Sequence, residues 1–265
     1  MKTQENIESD FSFIASHELK APISATKWFL DILLKQDQET GTLNPKQKEI
    51  IEEVYHSNEH MIELINTIVD ASAISEGKVE LKPETFDLYG LVSHSVTEML
   101  PYAKAKNMKI KFARHDGEKF MVKADKLRIK NVLLNLLSNG LKYSNDHCCI
   151  GVTVKKVSQD EIRAILSGHE IHVAGREDAP GQDITSRYVL FEVKDEGIGI
   201  PENQHHRIFD KFYRGDNAIR MNTNGIGLGL FVDSRIAQLH HGLMWFKSQE
   251  GKGSTFSFAL PLVNG

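Results

Sequence analysis

The chain has 265 residues, 40% hydrophobic and 26% charged, which is enough for one large or two modest domains with a buried core. Its 32 basic and 36 acidic residues leave a formal charge of −4, so no whole-chain field draws nucleic acid or anionic lipid. The only cysteines, Cys148 and Cys149, are adjacent, which excludes a disulfide framework and a CxxC metal site and fits a reducing cytoplasm; no apolar run approaches the ~18 residues of a membrane span, and the polar start is no signal peptide.

From Ile7 the apolar or small residues recur at steps of four and three: Ile7, Phe11, Ile14, then Glu18 as an interruption, then Ala21, Ala25, Trp28 and Ile32. Leu19, Ile23, Leu30 and Leu33 widen this stripe beyond a coiled-coil seam toward the face of a bundle helix. Gly41 and Asn44-Pro45 mark a turn, and a second seam follows through Ile51, Val54, Asn58, Met61, Ile65, Ile68 and Ser72, ending near Gly77. Two antiparallel helices of ~30 residues, each about 45 Å long, cannot hide both apolar faces alone. Pairing with a second copy into a four-helix bundle would hide them, so a homodimer is expected. The organisation is read as 1–76 for the hairpin, 77–85 for a linker, and 86–265 for a second domain.

That second domain mixes helix and strand. Phe86 to Lys106 reads as a helix, Lys109 to Ala113 and Phe120 to Val122 as short strands, and Lys126 to Tyr143 as a strongly apolar helix. Strands follow at Cys149 to Lys156, Arg187 to Lys194, Leu243 to Ser248 and Ser254 to Leu260, with a helix at Leu228 to His240. This is an α+β layer rather than an alternating parallel sheet. Residues 158–186 are long for a hairpin connection and contain Gly168, Gly175, Pro180 and Gly181, so they read as a surface insertion.

Three polar groups interrupt this pattern. Asn135 and Asn139 are four apart on one helix face, with Lys142 one turn on. A carboxamide oxygen is a hard ligand for Mg²⁺ that adds no charge near phosphates, and the lysine supplies a cation, although a polar helix edge explains the same residues. The strand Tyr188-Val189-Leu190-Phe191-Glu192-Val193 delivers Asp195 to its end, where a carboxylate can accept from an adenine amino group, while Gly197 and Gly199 leave room beside the backbone. Gly225, Gly227 and Gly229 open an apolar helix whose N–H groups can cradle phosphate. Neither glycine run has Rossmann spacing, because Glu202 and Leu230 stand at the third glycine positions, and no P-loop Lys-Ser/Thr follows.

In this order the groups resemble the sensor histidine kinases of two-component signalling. Asn135 to Tyr143 resembles the N box, Asp195 to Pro201 the G1 box, Ile208 to Arg214 the F box, Gly225 to Gly229 the G2 box, and Gly251 to Phe256 the closing strand motif. The resemblance covers the chain apart from the insertion. It implies a dimeric four-helix bundle followed by an α/β sandwich of the Bergerat type that binds ATP with Mg²⁺. The implied ATP contacts are Asn135, Asn139, Lys142, Tyr143, Asp195, Gly197, Gly199, Phe209, Arg214, Gly225, Gly227 and Gly229, with Asn139 on the metal and Asn135 beside it.

Ser16-His17-Glu18-Leu19-Lys20-Ala21-Pro22 resembles the H box, which makes His17 the phosphorylated residue and Glu18 its proton acceptor. A zinc peptidase HExxH is excluded because Ala21 stands at the fifth position. Pro22 is expected to bend the helix beside His17. The family often has Thr or Asn where this chain has Ala21, and that side chain positions water to hydrolyse phospho-aspartate, so weak phosphatase activity is expected. A separate response regulator is the implied partner, and the implied location is cytoplasmic, alone or as the cytoplasmic part of a longer receptor. The rival readings are a conformational ATPase of the same nucleotide-binding superfamily and a non-catalytic dimeric scaffold. His169 and His172 could face one metal, but a solvated loop explains them as well.

Overall fold

The structure is a computed structural model that describes residues 2–35, 41–113, 117–168, 171–174, 187–221 and 225–263, with backbone only for 2–18. It divides into two compact units, Met1–Val79 and Glu80–Gly265.

In the first unit α1 (Lys2–Lys35) and α2 (Pro45–Ser75) form a hairpin. Asn44 caps α2: its side chain accepts from the Gln47 N–H at 2.9 Å while Gln47 returns a bond to the Asn44 N–H, and Pro45 occupies the position that needs no donor. α1 remains helical through Pro22. The second seam divides between two environments. Asn58, Ile65 and Ser72, seven apart, are buried, whereas Val54 and Met61, also seven apart, are exposed. Trp28 and Phe29 are each 59% exposed and Ile50 is 53% exposed, so the packed hairpin leaves large apolar side chains of both helices open.

Among the described residues the second unit forms a six-stranded mixed sheet with helices on both faces. Its strands are β2 (Lys109–Phe112), β4 (Cys149–Ser158), β5 (His172–Val173), β6 (Arg187–Lys194), β7 (Leu243–Gln249) and β8 (Gly253–Pro261), in the order β2-β4-β6-β8-β7-β5. Among the described strands of this sheet, β2–β4 is parallel and the other pairs are antiparallel. A separate antiparallel ribbon joins β1 (Glu84–Asp87) to β3 (Met121–Ala124). α3 (Leu88–Ala105), α4 (Lys126–Tyr143) and α7 (Gly229–Leu239) pack together on one face, and their apolar stripes, including Leu133, Leu136, Leu137, Ile236 and Ala237, are buried there. Gly140 lets α4 approach closely, since a Cβ would lie 3.3 Å from Ile150 and 3.4 Å from Val193.

One expectation is corrected. The helix does not begin at Phe86: Glu84–Asp87 pairs with β3, and Asp87 then caps α3 by accepting from the Tyr89 N–H. The start of the segment read as a surface insertion is ordered and partly buried. β4 runs on to Ser158, and α5 (Gln159–Leu166) starts on a Ser158–Glu161 capping box. Ile162 of α5 joins Val157, Tyr188, Leu190, Trp245 and Ala259 in a buried cluster. Because side chains alternate along a strand, Leu190 faces away from its neighbours Val189 and Phe191, so this cluster covers the sheet face opposite α4. β5 pairs with β7 as an edge strand. His169 and residues 175–186 lie outside the described residues.

Candidate nucleotide and phosphoacceptor site

α4 is fixed at its start by Asp125, whose carboxylate accepts from the Arg128 and Lys82 N–H groups and whose own N–H donates to His240 Nε2 at 3.0 Å. His240 therefore works as a structural brace at the end of α7, with Nδ1 against the Ile236 carbonyl. With α4 anchored this way and its apolar face on the sheet, Asn135, Asn139, Lys142 and Tyr143 remain half-buried at the opposite edge.

The loop after β6 is clasped to β8 and to the end of α4. The Asp195 N–H donates to the Ser254 carbonyl at 2.9 Å, and Oδ1 of Asp195 accepts from Gly197 N–H at 2.8 Å and Ser254 N–H at 3.2 Å. Burial pushes the Asp195 carboxyl above its ordinary range, and these backbone donors oppose the shift. Ile198 N–H donates to the Tyr143 carbonyl at 3.1 Å. A Cβ at Gly197 would overlap that same carbonyl, and one at Gly199, which has φ 60°, would overlap the Gln249 carbonyl. The missing side chains of these two glycines thus make room for the chain's own backbone, a reason for glycine that the sequence reading did not include.

Gly225 and Gly229 return to α4. A Cβ on Gly225 would stand 3.1 Å from Lys142 Nζ, and one on Gly229 would stand 2.8 Å from Asn135 Nδ2. Gly227, with φ 72°, passes the Tyr213 carbonyl too closely for any side chain. Desolvation depresses the Lys142 amine, and the positive charge of Arg214 adds to the shift. The structure therefore brings together Asn135, Asn139, Lys142, Tyr143, Asp195, Gly197, Arg214, Gly225 and Gly229.

Phe209 packs against β7. It meets Phe246 edge-on at 5.7 Å between ring centroids and lines a cavity of about 410 Å³ with Lys211, Phe231 and Arg235. His205, also buried, packs on Phe246 and His172. Among the described residues no cluster of three or more His, Cys, Asp or Glu side chains is arranged to hold a metal. Cys149 begins β4, and Cys148 lies within 3.8 Å of the Glu196 carbonyl. His17 and Glu18 fall within α1, but their side chains lie outside the described residues.

Three residues that the motifs did not single out organise the site. Asp233 of α7 is buried and accepts from Asn135 Nδ2 at 2.5 Å. Asn217 of a short helix, α6 (Asp216–Arg220), donates from Nδ2 to the Gly199 carbonyl at 2.8 Å. Gln204, on a 3₁₀ turn at Glu202–Arg207, exchanges bonds with Asp216 through Nε2 and Oε1. A charged residue amid the apolar run Phe231-Val232 was the available signal for Asp233; nothing local marked the other two.

A helical hairpin joined to this sheet with an Asn-Lys-Asp-glycine edge defines a phosphoacceptor unit linked to a nucleotide-binding unit. A family model described as Histidine kinase-, DNA gyrase B-, and HSP90-like ATPase matches residues 124–264, and one described as His Kinase A (phospho-acceptor) domain matches residues 8–77. The chain belongs to the sensor histidine kinase family. It is 30% identical over 255 residues to circadian input-output histidine kinase CikA of Synechococcus elongatus, covering 96% of this chain and 30% of that protein. It is 27% identical over 253 residues to sensor histidine kinase WalK of Bacillus subtilis, covering 95% of this chain and 36% of that protein. The chain thus spans about a third of the length of these curated relatives. The crystal structure of full-length ShkA in complex with AMPPNP has a similar fold, with TM-score 0.68 and 22% identity over 97% of this chain and 46% of that one. The Acinetobacter baumannii histidine kinase AdeS aligns with TM-score 0.54 and 18% identity over 94% of this chain and 98% of that one. No described helix is long and apolar enough to cross a membrane.

Proposed function

We propose that the second unit binds ATP, that its γ-phosphoryl group passes to His17, and that an aspartate of a separate response regulator then receives it. The observation that carries this reading is that the glycine run at 225–229 folds back onto Lys142 and Asn135 of α4, while the loop holding the buried Asp195 is clasped to the end of the same helix. Lys142 is partly desolvated and its amine is depressed, the charge of Arg214 adding to the shift, and a polyphosphate beside it would offset that cost. Asp195 has the acceptor an adenine amino group needs, with Oδ1 already pinned by backbone. AMPPNP in the related ShkA structure agrees with an adenine nucleotide here. The carboxamide oxygens suit a hard cation, so Asn139, with Asn135 beside it, would hold Mg²⁺, which supplies charge neutralisation on the phosphates.

The transfer itself is positioning and electrostatics. A neutral imidazole nitrogen of His17 forms a bond to the γ-phosphorus as the bond to the β-bridging oxygen breaks and ADP leaves. Glu18 takes the proton from the other ring nitrogen. Lys142 and Arg214 balance charge on the departing phosphates.

The open apolar residues Trp28, Phe29, Val54 and Met61 fit a homodimer in which a second hairpin covers them. The phosphoacceptor match at residues 8–77 favours the kinase over a conformational ATPase, which has no use for that hairpin. Two variants test the reading with γ-labelled ATP. His17→Gln and Asn139→Ala chains should each stay unlabelled, and a mixture should label the Asn139→Ala chain if transfer crosses protomers. Label on His17→Gln alone would overturn the assignment of His17.

A further inference from the structure

Asp233 lies on α7 and is 4% exposed. Its Oδ2 accepts from Asn135 Nδ2 at 2.5 Å, and Asn135 Oδ1 accepts from Asn139 Nδ2 at 3.5 Å. The absent side chain of Gly229 is what admits the Asn135 amide to this place, since a Cβ there would stand 2.8 Å from Nδ2. Three side chains from two helices thus form one ordered line.

A carboxamide has one end that only donates and one that only accepts. The Asp233 oxygen that faces it accepts, as a carboxylate oxygen or as the carbonyl oxygen of a neutral carboxyl, so Asp233 takes the NH₂ of Asn135. The Asn135 oxygen is then turned to Asn139 and takes its NH₂. The Asn139 oxygen is left facing outward. If both amides flipped, the same Asn135–Asn139 bond would survive with its direction reversed, but an NH₂ would face outward, and an NH₂ is no ligand for a hard cation.

We propose that Asp233 is a positioning residue: through Asn135 it fixes the Asn139 carboxamide with its oxygen toward the magnesium of the bound nucleotide. The inference rests on the reading of Asn139 as the metal ligand. Partners behind a metal ligand are commonly worth 10- to 100-fold in metal affinity, which sets the expected size of the effect at about tenfold or more. A purely packing role for Asp233 would alter stability and leave the metal requirement alone.

The test titrates Mg²⁺ against binding of a fluorescent ATP analogue, in the full chain, for wild type, Asp233→Leu and Asp233→Asn. Asp233→Leu should raise the half-saturating Mg²⁺ about tenfold or more while Mg²⁺-free affinity stays within about twofold. Asp233→Asn keeps an acceptor for Asn135 and should stay within about threefold of wild type. Should Asp233→Leu fail to fold, as judged by its thermal midpoint, Asp233→Ala carries the same expectation. An unchanged Mg²⁺ requirement, an equal loss with and without Mg²⁺, or a loss in Asp233→Asn matching that in Asp233→Leu would overturn the relay alone. A wild type whose nucleotide binding ignores Mg²⁺ would overturn both the relay and the metal reading beneath it.

Discussion

Asp195→Asn isolates a single atom. Oδ1 of Asp195 is occupied by the N–H groups of Gly197 and Ser254, which demand an acceptor. The asparagine must therefore keep its oxygen there and put its NH₂ where the second carboxylate oxygen was. An adenine amino group then meets a donor in place of an acceptor. Losing a hydrogen bond to a charged group costs about 1.5–3 kcal/mol, which is roughly a 10- to 150-fold rise in Kd. Guanine offers a carbonyl oxygen at the corresponding position, so GTP should gain as ATP loses. Competition of ATP and GTP against a fluorescent ATP analogue reads both changes. Because burial raises the Asp195 carboxyl, acidification should also weaken ATP binding at pH values above the ordinary aspartate range, and the Asn variant should lack that dependence. An Asp195→Asn chain that binds ATP within about twofold of wild type, with unchanged preference over GTP, would refute the assignment of this carboxylate to the base.

Three further outcomes are expected. Ile162→Ala should lower the stability of the second unit by about 2–4 kcal/mol, read as a reduced urea midpoint, because Ile162 is 3% exposed within the cluster on the outer sheet face; a shift under about 0.5 kcal/mol would return α5 to the status of a surface appendage. The raised Asp233 carboxyl contributes stability that is fully present below its unfolded pKa and lost as pH rises through its folded value, so Asp233→Asn should gain on wild type as pH climbs above about 4 in pH-dependent unfolding; parallel curves would contradict this. Ala21 is exposed on α1 and has no side-chain oxygen, so ATP-independent dephosphorylation of the cognate regulator should be slow in wild type and faster in Ala21→Thr; rapid wild-type turnover would contradict it.

Much of the site was legible because its polar residues interrupt otherwise apolar elements. Asn135, Asn139 and Lys142 stand out against the leucines of α4, and Asp195 ends a strand that is buried on both faces. The glycines were found, but for an incomplete reason: at Gly197 and Gly199 the tight neighbours are carbonyls of Tyr143 and Gln249, which are distant in sequence. β1 was missed because it has four residues, only one of them buried, and exists through pairing with β3. α5 did have a local signature, the Ser158–Glu161 capping box and the spacing of Ile162, Ile165 and Leu166, which the glycines that follow obscured. Asn217 and Gln204 act through loop closure and left no periodic trace. In the hairpin, the seam repeat was visible, but its division into a half that meets α1 and a half that stays open required the packed pair.

The most direct measurement of the central claim is incubation of the purified chain with γ-labelled ATP, followed by acid and alkali treatment of the labelled protein. Phosphohistidine is expected: label that survives alkali, is lost in acid, and is absent from His17→Gln. Label that survives acid, or that persists undiminished in His17→Gln, would contradict it.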